Sequence, residues 1–579
     1  MLVAFGEFLS QHGLLDRLRA VPIGQKTRGL SPQTKLIEFL IGIMSGIEHL
    51  QDLNDGPRPL VGDAVVARAW GVPGFAHYSG VSRTLAVCDE ETVTATEAAV
   101  AAFSRPFIES CVSELVRRGA LIVYDLDLTG QGVSATSRKY PGAAFGWMND
   151  EVRLGYQLAR VCLSAEDGER MWLAGYHHPG DTVSSACLKE LIRAAEGQTR
   201  VRPRRRVEWV EQRIQAQQRV LDRVQRLIDQ QRSKREDLHV SQADLIGRMY
   251  HAQQVWAEAG VDANAQSSEK PARLQGRLVG WQARLPRLSA QIERAQAVLD
   301  AHQLRWQSQH TVMTELRNWR AQLEADNQAN PNPPPVIVAR MDAGFTSGDN
   351  LTWLIEMGYF PDTKAPNGQT TSALRAHLSP DTVWERVGHN AEMTLIGETH
   401  LHNCPFPLVA AVERFDVNGS FRYATLIRYL PFSADRADPP VIALPAWFRH
   451  YNARQTIEAG NKEMKGTFFV QHLMSHSPAG IRLQVVFTGL GANTTRWCRP
   501  WLKRCVSQAT PKLISALDSP KHLIRIAANS PAFVRQAPSG TTLQFAADSA
   551  FPGAKLCLRG VPAFQLPLAI HQPCDFASP

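Results

Sequence analysis

The sequence predicts an α/β fold whose sheet-forming segments are split by a long antiparallel helical hairpin. Three observations carry this expectation. Hydrophobic, strand-like runs lie between 120 and 178, strand character resumes at Val336, and two heptad-patterned stretches fill the space between them. The proline-rich NQANPNPPP at 327–335 cannot continue a helix and closes the hairpin.

The 579 residues exceed what one ordinary core organises, so two to four domains, or one domain with large insertions, are expected. Apolar residues at 44 % and charged residues at 20 % exclude wholesale disorder. Lys and Arg number 63 against 55 Asp and Glu, a net +8 that suits a polyanionic partner. The longest apolar stretch, Leu36 to Ile47, is interrupted by Glu38 and too short to span a bilayer. No basic leader precedes the N-terminal apolar residues, so the expected location is cytoplasmic, without a membrane. Nine cysteines are scattered without a CxxC pair and read as buried free thiols.

In order along the chain, residues 1–115 read as a helical domain. Ser31 and Pro32 provide an N-cap and a first-turn proline for a helix through SPQTKLIEFLIGIMSGIEHL. Farther on, the run through Ser82, Arg83 and Thr84 is similar to the start of the second helix of a helix-turn-helix, making this a candidate DNA-binding domain. A plain helical bundle accounts for the same pattern.

Residues 116–200 open the sheet with ALIVYDLDLT, GYQLARVCLS and RMWLAGYHH, followed by the helix TVSSACLKELIRAAEG. Residues 201–330 form the hairpin. Val207, Val210, Ile214, Leu221, Val224 and Ile228 repeat at three-four spacing with Gln217 in the gap, and Leu274 to Leu323 supply the return helix, which Pro286 is expected to end or kink. Arg204, Arg205 and Arg206 open it with cations able to follow phosphates. Trp209, Trp256 and Trp319 fall off the seam, so the hairpin is expected to cover another surface and to promote dimerisation or DNA-end pairing. The sheet resumes at 331–385, and a β-rich insertion follows at 386–440 with an Asn418-Gly419 hairpin turn. Residues 441–516 are helical, and the tail at 517–579 carries no legible motif.

Chemistry concentrates in three places. Tyr451, Arg454, Glu458 and Lys465 would share about 60° of one helix face, which is odd for a core and in isolation equally readable as a solvated salt-bridge stripe. Asp125 and Asp127 share a strand face, and acids on a hydrophobic strand are costly unless something positive meets them. Asp342 ends a second hydrophobic strand. Either strand-end Asp alone reads as a cap or turn residue; two of them with a helix acid suggest a metal site.

On these residues the chain resembles the bacterial insertion-sequence DDE transposases, in the group with a Tyr-Arg-Glu-Lys signature, over 116–200 and 331–515. The signature is complete at Tyr451, Arg454, Glu458 and Lys465, with supporting matches at Asp127-Leu128-Thr129 and Asp342-Ala343-Gly344-Phe345. The resemblance implies an RNase H-like catalytic domain, with the first Asp on the central strand, the second after the fourth strand and the Glu on a later helix. It implies a metal-dependent DNA transposase in which Asp127, Asp342 and Glu458 hold two Mg²⁺ (or Mn²⁺) ions, with Asp125 as the alternative first acid. The partners implied are double-stranded DNA, as terminal inverted repeats and target, and a second copy of the chain in a homodimer on paired ends. Arg454 and Lys465 would grip phosphates and Tyr451 would hydrogen-bond one, while Trp384 reads as a core residue or as a platform for an extruded base.

Two departures stand out: the helical hairpin separates the first and second acids, and Asn452, Ala459 and Gly460 stand where relatives often carry an Arg or bulky residues. The alternative reading is a domesticated, catalytically inactive DNA-binding protein of the same fold, gripping DNA through 204–206 and through Arg496, Arg499, Lys503 and Arg504. A purely structural coiled-coil protein would leave the three acid-bearing segments unexplained.

Overall fold

The computed structural model describes residues 1–561 apart from 28, 149, 165–169, 262–268, 334–335, 367 and 431–442. The expected hairpin tip, the last two prolines of the 327–335 link and the end of the tail with Cys574 lie outside the described residues. The chain divides into two compact units, one made of Met1–Arg204 with Asn330 onward and the other of Arg205–Ala329. No helix among the described residues is long and apolar enough to cross a membrane.

The first unit begins with helices α1 (Leu2–Gln11), α2 (Leu14–Arg19), α3 (Pro32–Ser45), α4 (Asp52–Asp55), α5 (Ala64–Ala69), α6 (Tyr78–Val87) and α7 (Glu90–Arg117). Ser31 caps α3, its Oγ accepting the Thr34 N–H at 3.1 Å, and Gly46 ends it in the left-handed conformation at φ +71°. The helix-turn-helix expectation needs correction. Residues 70–77 separate α5 from α6, far more than a tight turn, and α6 packs on α3. Ser82 and Arg83 are exposed in the middle of α6, whereas Thr84 is buried and donates to Gln25 Oε1 at 2.7 Å.

Four strands and a helix follow: β1 (Ile122–Gly132), β2 (Ala144–Met148), β3 (Glu151–Ser164), β4 (Arg170–Pro179) and α8 (Ser184–Thr199). β1 alternates between two covered faces. Tyr124 reaches α8, its hydroxyl 2.7 Å from Thr199 Oγ1, while Asp125, Asp127, Thr129 and Gln131 point to the opposite side.

The second unit is a helical pair, α9 (Val207–Val261) and α10 (Glu269–Gln328). At 1.5 Å per residue each is on the order of 80–90 Å long. Val224, Ile228 and Leu299 pack with Trp306 in the seam, and Gln217 Nε2 bridges it by donating to the Gln309 main-chain oxygen at 2.9 Å. Pro286 lies inside α10 and does not end it, contrary to one of the two expected outcomes. Arg205 is not a free phosphate grip. Its side chain is 1 % exposed and pairs with Asp326 at 2.9 Å, while its main chain is bracketed by Asn327.

The first unit resumes with β5 (Ile337–Arg340), α11 (Gly348–Glu356), β6 (Phe360–Lys364), α12 (Gln369–Arg375), β7 (Glu385–Arg386), β8 (Ala391–Thr399), β9 (Leu408–Val417) and β10 (Ser420–Arg428). One large mixed sheet results, in the order β2-β3-β1-β5-β6-β10-β9-β8-β7, with β4 also paired to β3. β3 runs antiparallel to β1 and to β4, whereas β5 runs parallel to β1 and β6 parallel to β5. The described part of the expected 386–440 insertion, residues 386–430, extends this sheet through β10 and β6 instead of folding apart, because β6 offers an unpaired edge. Asn418 and Gly419 turn the β9–β10 hairpin at φ +53° and +80°.

Helices α13 (Leu444–Asn452), α14 (Gln455–Thr467) and α15 (Pro478–Cys505) come next. Strand β11 (Val506–Gln508), helix α16 (Pro511–Leu517) and strands β12 (Ala532–Ala537), β13 (Gly540–Phe545) and β14 (Lys555–Leu558) complete the unit. The four strands form a small second sheet that the sequence reading missed. Its signal was the alternation in AFVRQAPSGTTLQFAA around Ser539-Gly540. The N-terminal helices share their core with α15 and this sheet: Phe8 meets Phe107 and Trp501 at ring distances of 5.9 and 5.8 Å. Of the eight described cysteines, Cys111 and Cys557 are half-buried and the other six buried.

Candidate functional site

Helix α14 lies along the odd-numbered face of β1. Four helical residues advance about 6 Å and two strand residues about 6.6 Å, so side chains at i and i+4 of the helix meet alternate residues of the strand. Asn461 Nδ2 accordingly donates to Asp127 Oδ2, and Lys465 Nζ donates to Thr129 Oγ1 at 2.8 Å. Farther along, Gln131 Nε2 donates to the Val470 main-chain oxygen at 2.8 Å. Gly460 permits the close approach: a Cβ there would stand 2.6 Å from Arg170 Nε and 2.8 Å from the Trp172 ring. A bulky residue at 460 would lift the helix off the strands.

The four signature residues do not share one helix. The chain turns sharply at Ala453 and Arg454, with three-residue hydrogen bonds from Arg454 N to Tyr451 O at 3.0 Å and from Ile457 N to Arg454 O at 2.9 Å. The break arises because the two helices serve different cores, α13 packing Trp447 and Tyr451 against Met393 and Leu426 while α14 sends Ile457 and Met464 into the main core. Tyr451 is turned inward, away from any position open to a phosphate. It is 3 % exposed, its hydroxyl donates to the Met341 main-chain oxygen at 3.1 Å, and burial pushes its phenol pKa well up. It fastens α13 to the residue preceding Asp342.

Asp127, Asp342 and Glu458 come to one neighbourhood from β1, the end of β5 and the first turn of α14. Burial pushes the Asp127 carboxyl up to about 6; Arg454 pulls it down, and the charges of Asp342 and Glu458 add to the rise. Arg454 sits among all three acids. Its guanidinium is 3.3 Å from Asp127 Oδ1 and 2.9 Å from Glu458 Oε1; burial lowers its pKa, but Tyr451, Asp127, Asp342 and Glu458 together raise it. Asp342 accepts the Gly344 N–H at 2.9 Å and starts the short turn Ala343–Phe345, while Glu458 is exposed. The acids do not form a closed ligand cluster. Among the described residues, only Glu48, His49 and His472 bring three ligand atoms within 4.8 Å of one another. Three carboxylates repel at contact distance, and Arg454 bridges two of them, supplying the positive charge between them.

Asp125 is a different kind of acid. It is fully buried and takes a two-point ion pair from Arg340, at 2.5 and 2.8 Å, with a third hydrogen bond from Ser164. Arg340 also donates to the His450 main-chain oxygen, and His450 Nδ1 lies 2.8 Å from buried Asp362, which further engages Arg428 and Trp447 Nε1. This network holds β1, β5, β6 and α13 together and engages both oxygens of Asp125.

Sequence reasoning missed Asn461 and Arg160. Arg160 faces Asp127 across the β1–β3 ladder and donates to Asn461 Oδ1 at 3.1 Å; burial lowers its pKa to about 9. The available signal was Asn461 standing three residues after Glu458 and four before Lys465. Among the expected DNA contacts, Arg83 and Arg204 are exposed, Arg206 is half-buried and Arg205 is sequestered. Arg496 is buried on Glu463 at 3.1 Å, and Lys503 pairs with Asp518 at 2.6 Å. The Trp384 ring already carries the Arg414 guanidinium at 4.1 Å, so that position is taken by a side chain of the same sheet. No protein-family model matches this chain, and no curated protein matches it.

Proposed function

We propose that the protein is a DNA transposase that excises and inserts a mobile element by metal-assisted phosphodiester hydrolysis and strand transfer, with Asp127, Asp342 and Glu458 as the metal-holding acids. One observation carries the reading: Arg454 reaches both Asp127, at 3.3 Å, and Glu458, at 2.9 Å, acids 331 positions apart on a strand and a helix, and Asp342 is near enough for its charge to act on Asp127. An RNase H-like core is supported by strand order and polarity. Asp127 lies on β1, central in β4-β3-β1-β5-β6, Asp342 follows β5, the fourth of these five strands along the chain, and Glu458 lies on a later helix.

The donor set fits the proposed ions. All three groups offer only carboxylate oxygen, which Mg²⁺ and Mn²⁺ prefer, and a buried carboxyl held up near 6 gains from added positive charge. When bound, two such ions would activate the attacking water or 3′-hydroxyl and stabilise the leaving oxygen. The chain's own residues do the rest: Asn461 and Arg160 orient Asp127, Tyr451 fixes the segment entering Asp342, and Arg454, once no longer needed between the acids, can take a DNA phosphate. Lys465 holds Thr129, one strand step beyond Asp127 on the same face of β1.

The partners in this reading are double-stranded DNA, as terminal repeats and target, and a second copy of the chain acting in the cytoplasm. The test is incubation of the purified protein with a duplex carrying the repeats that flank its gene, with and without Mg²⁺. Strand cleavage that needs the metal supports the reading. The bridging of Asp127 and Glu458 by Arg454 favours a second reading, a non-catalytic DNA-binding protein of the same fold; tight end binding without cleavage under any divalent ion would establish that instead. Replacement of 207–325 by a Gly/Ser linker should leave nicking measurable and reduce paired-end complexes, and undiminished pairing would remove the hairpin from this role.

A further inference from the structure

Glu48, His49 and His472 lie outside the acid site and have no part in the chemistry proposed above. We propose that they form a binding site for one first-row divalent transition ion, Zn²⁺ in its ligand chemistry. Their ligand atoms all fall within 4.8 Å of one another. Two imidazoles and a carboxylate are a Zn²⁺ donor set that leaves a fourth position for water, whereas Mg²⁺ prefers oxygen alone.

Both halves of the site are held by their main chains. Glu48 and His49 lie in the turn after α3, where Asp52 Oδ2 accepts their N–H groups at 3.0 and 2.8 Å. His472 lies 423 positions later, between α14 and α15, and its main-chain oxygen accepts buried Gln484 Nε2 at 2.8 Å. Phe469, three residues earlier, is held at φ +49°, a conformation a bulky residue keeps only where its surroundings impose it.

The ring geometry points to a shared ligand. His49 and His472 are nearly parallel, 11° apart with centroids at 5.3 Å. Glu48 Oε1 stands 2.9 Å from His472 Nδ1, yet that buried nitrogen has no hydrogen bond of proper direction, so the two atoms converge without satisfying each other. The other ring nitrogen, Nε2, is 3.4 Å from the Gln471 amide, which in one of its orientations accepts the Nε2 proton and leaves Nδ1 free to ligate. Glu48 and His49 border a cleft of about 540 Å³, also lined by Asp52, Arg58 and Arg525, through which an ion could enter. Arg525 does not compete for Glu48: it lies over the Phe469 ring and donates to the Gly466 main-chain oxygen at 3.1 Å. The bound ion would brace the segment leaving α14 against the turn leaving α3.

The experiment uses the full-length chain stripped with chelator and titrated with Zn²⁺, and with Co²⁺ as a spectroscopic probe. One tightly held ion, with visible Co²⁺ bands from nitrogen ligation, is expected. His49→Ala and His472→Ala should each weaken it by at least about 10–100-fold, the cost of losing even an outer-shell partner, and Zn²⁺ should raise the thermal midpoint of the wild type but not of Glu48→Gln. The Asp127→Asn, Glu458→Gln double variant should retain the ion, which separates this site from the proposed acid site whatever the outcome of the cleavage assay. Absence of a stoichiometric ion in the wild type, or unchanged affinity in the folded His472→Ala or Glu48→Gln protein, would overturn the proposal.

Discussion

Asp125 and Asp127 stand one strand step apart on the same face of β1, yet their surroundings divide the polar interior into two regions. Around Asp125, every carboxylate oxygen meets a fixed cation or hydroxyl, and the network continues through Arg340 and His450 to Asp362. Around Asp127, one guanidinium serves two acids while a third adds its charge, and the carboxyl is held up near 6. The first region is neutralised within the fold and reads as architecture. In the second, burial is the main cause of the raised Asp127 carboxyl; Asp342 and Glu458 add to it and Arg454 opposes it without restoring the ordinary range, so an added cation gains there what the structural ion pair at Asp125 already has.

The largest expected effect breaks the second region. Asp127→Asn should lower Mg²⁺-dependent nicking by on the order of 10³-fold, about 4 kcal/mol of barrier, with the fold intact. Nicking of repeat-bearing duplex beside a circular dichroism spectrum measures both. Activity within a few-fold of the wild type would remove Asp127 from the chemistry.

Asp125→Asn should do the reverse. It strands Arg340 in a buried position, and breaking such a pair costs about 3–5 kcal/mol. Urea unfolding should show that loss, while any protein that remains folded should nick at reduced but measurable rates. Equal abolition of nicking by both substitutions would erase the distinction drawn here.

A smaller effect sharpens the comparison through pH. The folded-state pKa of Asp127 is about 6, above its ordinary 3.8, so between these values the folded chain binds the proton that the unfolded chain has lost. Its contribution is favourable at low pH and is lost as pH rises through the window from about 4 to 6, by at most about 3 kcal/mol. The difference in unfolding free energy between wild type and Asp127→Asn should therefore change across that window and stay flat above pH 7. At neutral pH, Mg²⁺ should stabilise the wild type and leave Asp127→Asn unmoved.

Much of this was legible in sequence because it depends on local periodicity. Strand character around Asp127 and Asp342, the cap at Ser31, the Asn418-Gly419 turn and the heptads of the hairpin each follow from spacing within a dozen residues. The break at Ala453-Arg454 was not, because its cause is tertiary: Tyr451 and Ile457 are claimed by different cores. The separation of Asp125 from Asp127 was equally hidden, since the deciding partner, Arg340, lies 215 positions away. Arg205 misled for the same reason: in sequence it is one of three exposed-looking cations, and only Asp326 at the other end of the hairpin shows that it is buried.

The smallest effect belongs to the helical hairpin, where polarity costs little and sets alignment. Gln217 takes the place of an apolar residue in the seam and reaches Gln309 through two contacts, at 2.9 Å to the main-chain oxygen and 3.0 Å to the side chain. A polar residue at such a position trades stability for a fixed register between helices. Gln217→Leu should therefore raise the hairpin's unfolding free energy by about 1 kcal/mol, because both partners' hydrogen bonds are modest in net worth and the leucine buries apolar surface. The same substitution should loosen the pairing of α9 with α10, seen as broadened distances between spin labels placed on the two helices. Nicking should not change, since Gln217 belongs to the hairpin unit and not to the unit that carries the acids. A stabilised hairpin with unbroadened distances would show that Gln217 does not set register, and a destabilised one would show that the Gln217–Gln309 contact is a main support of the seam.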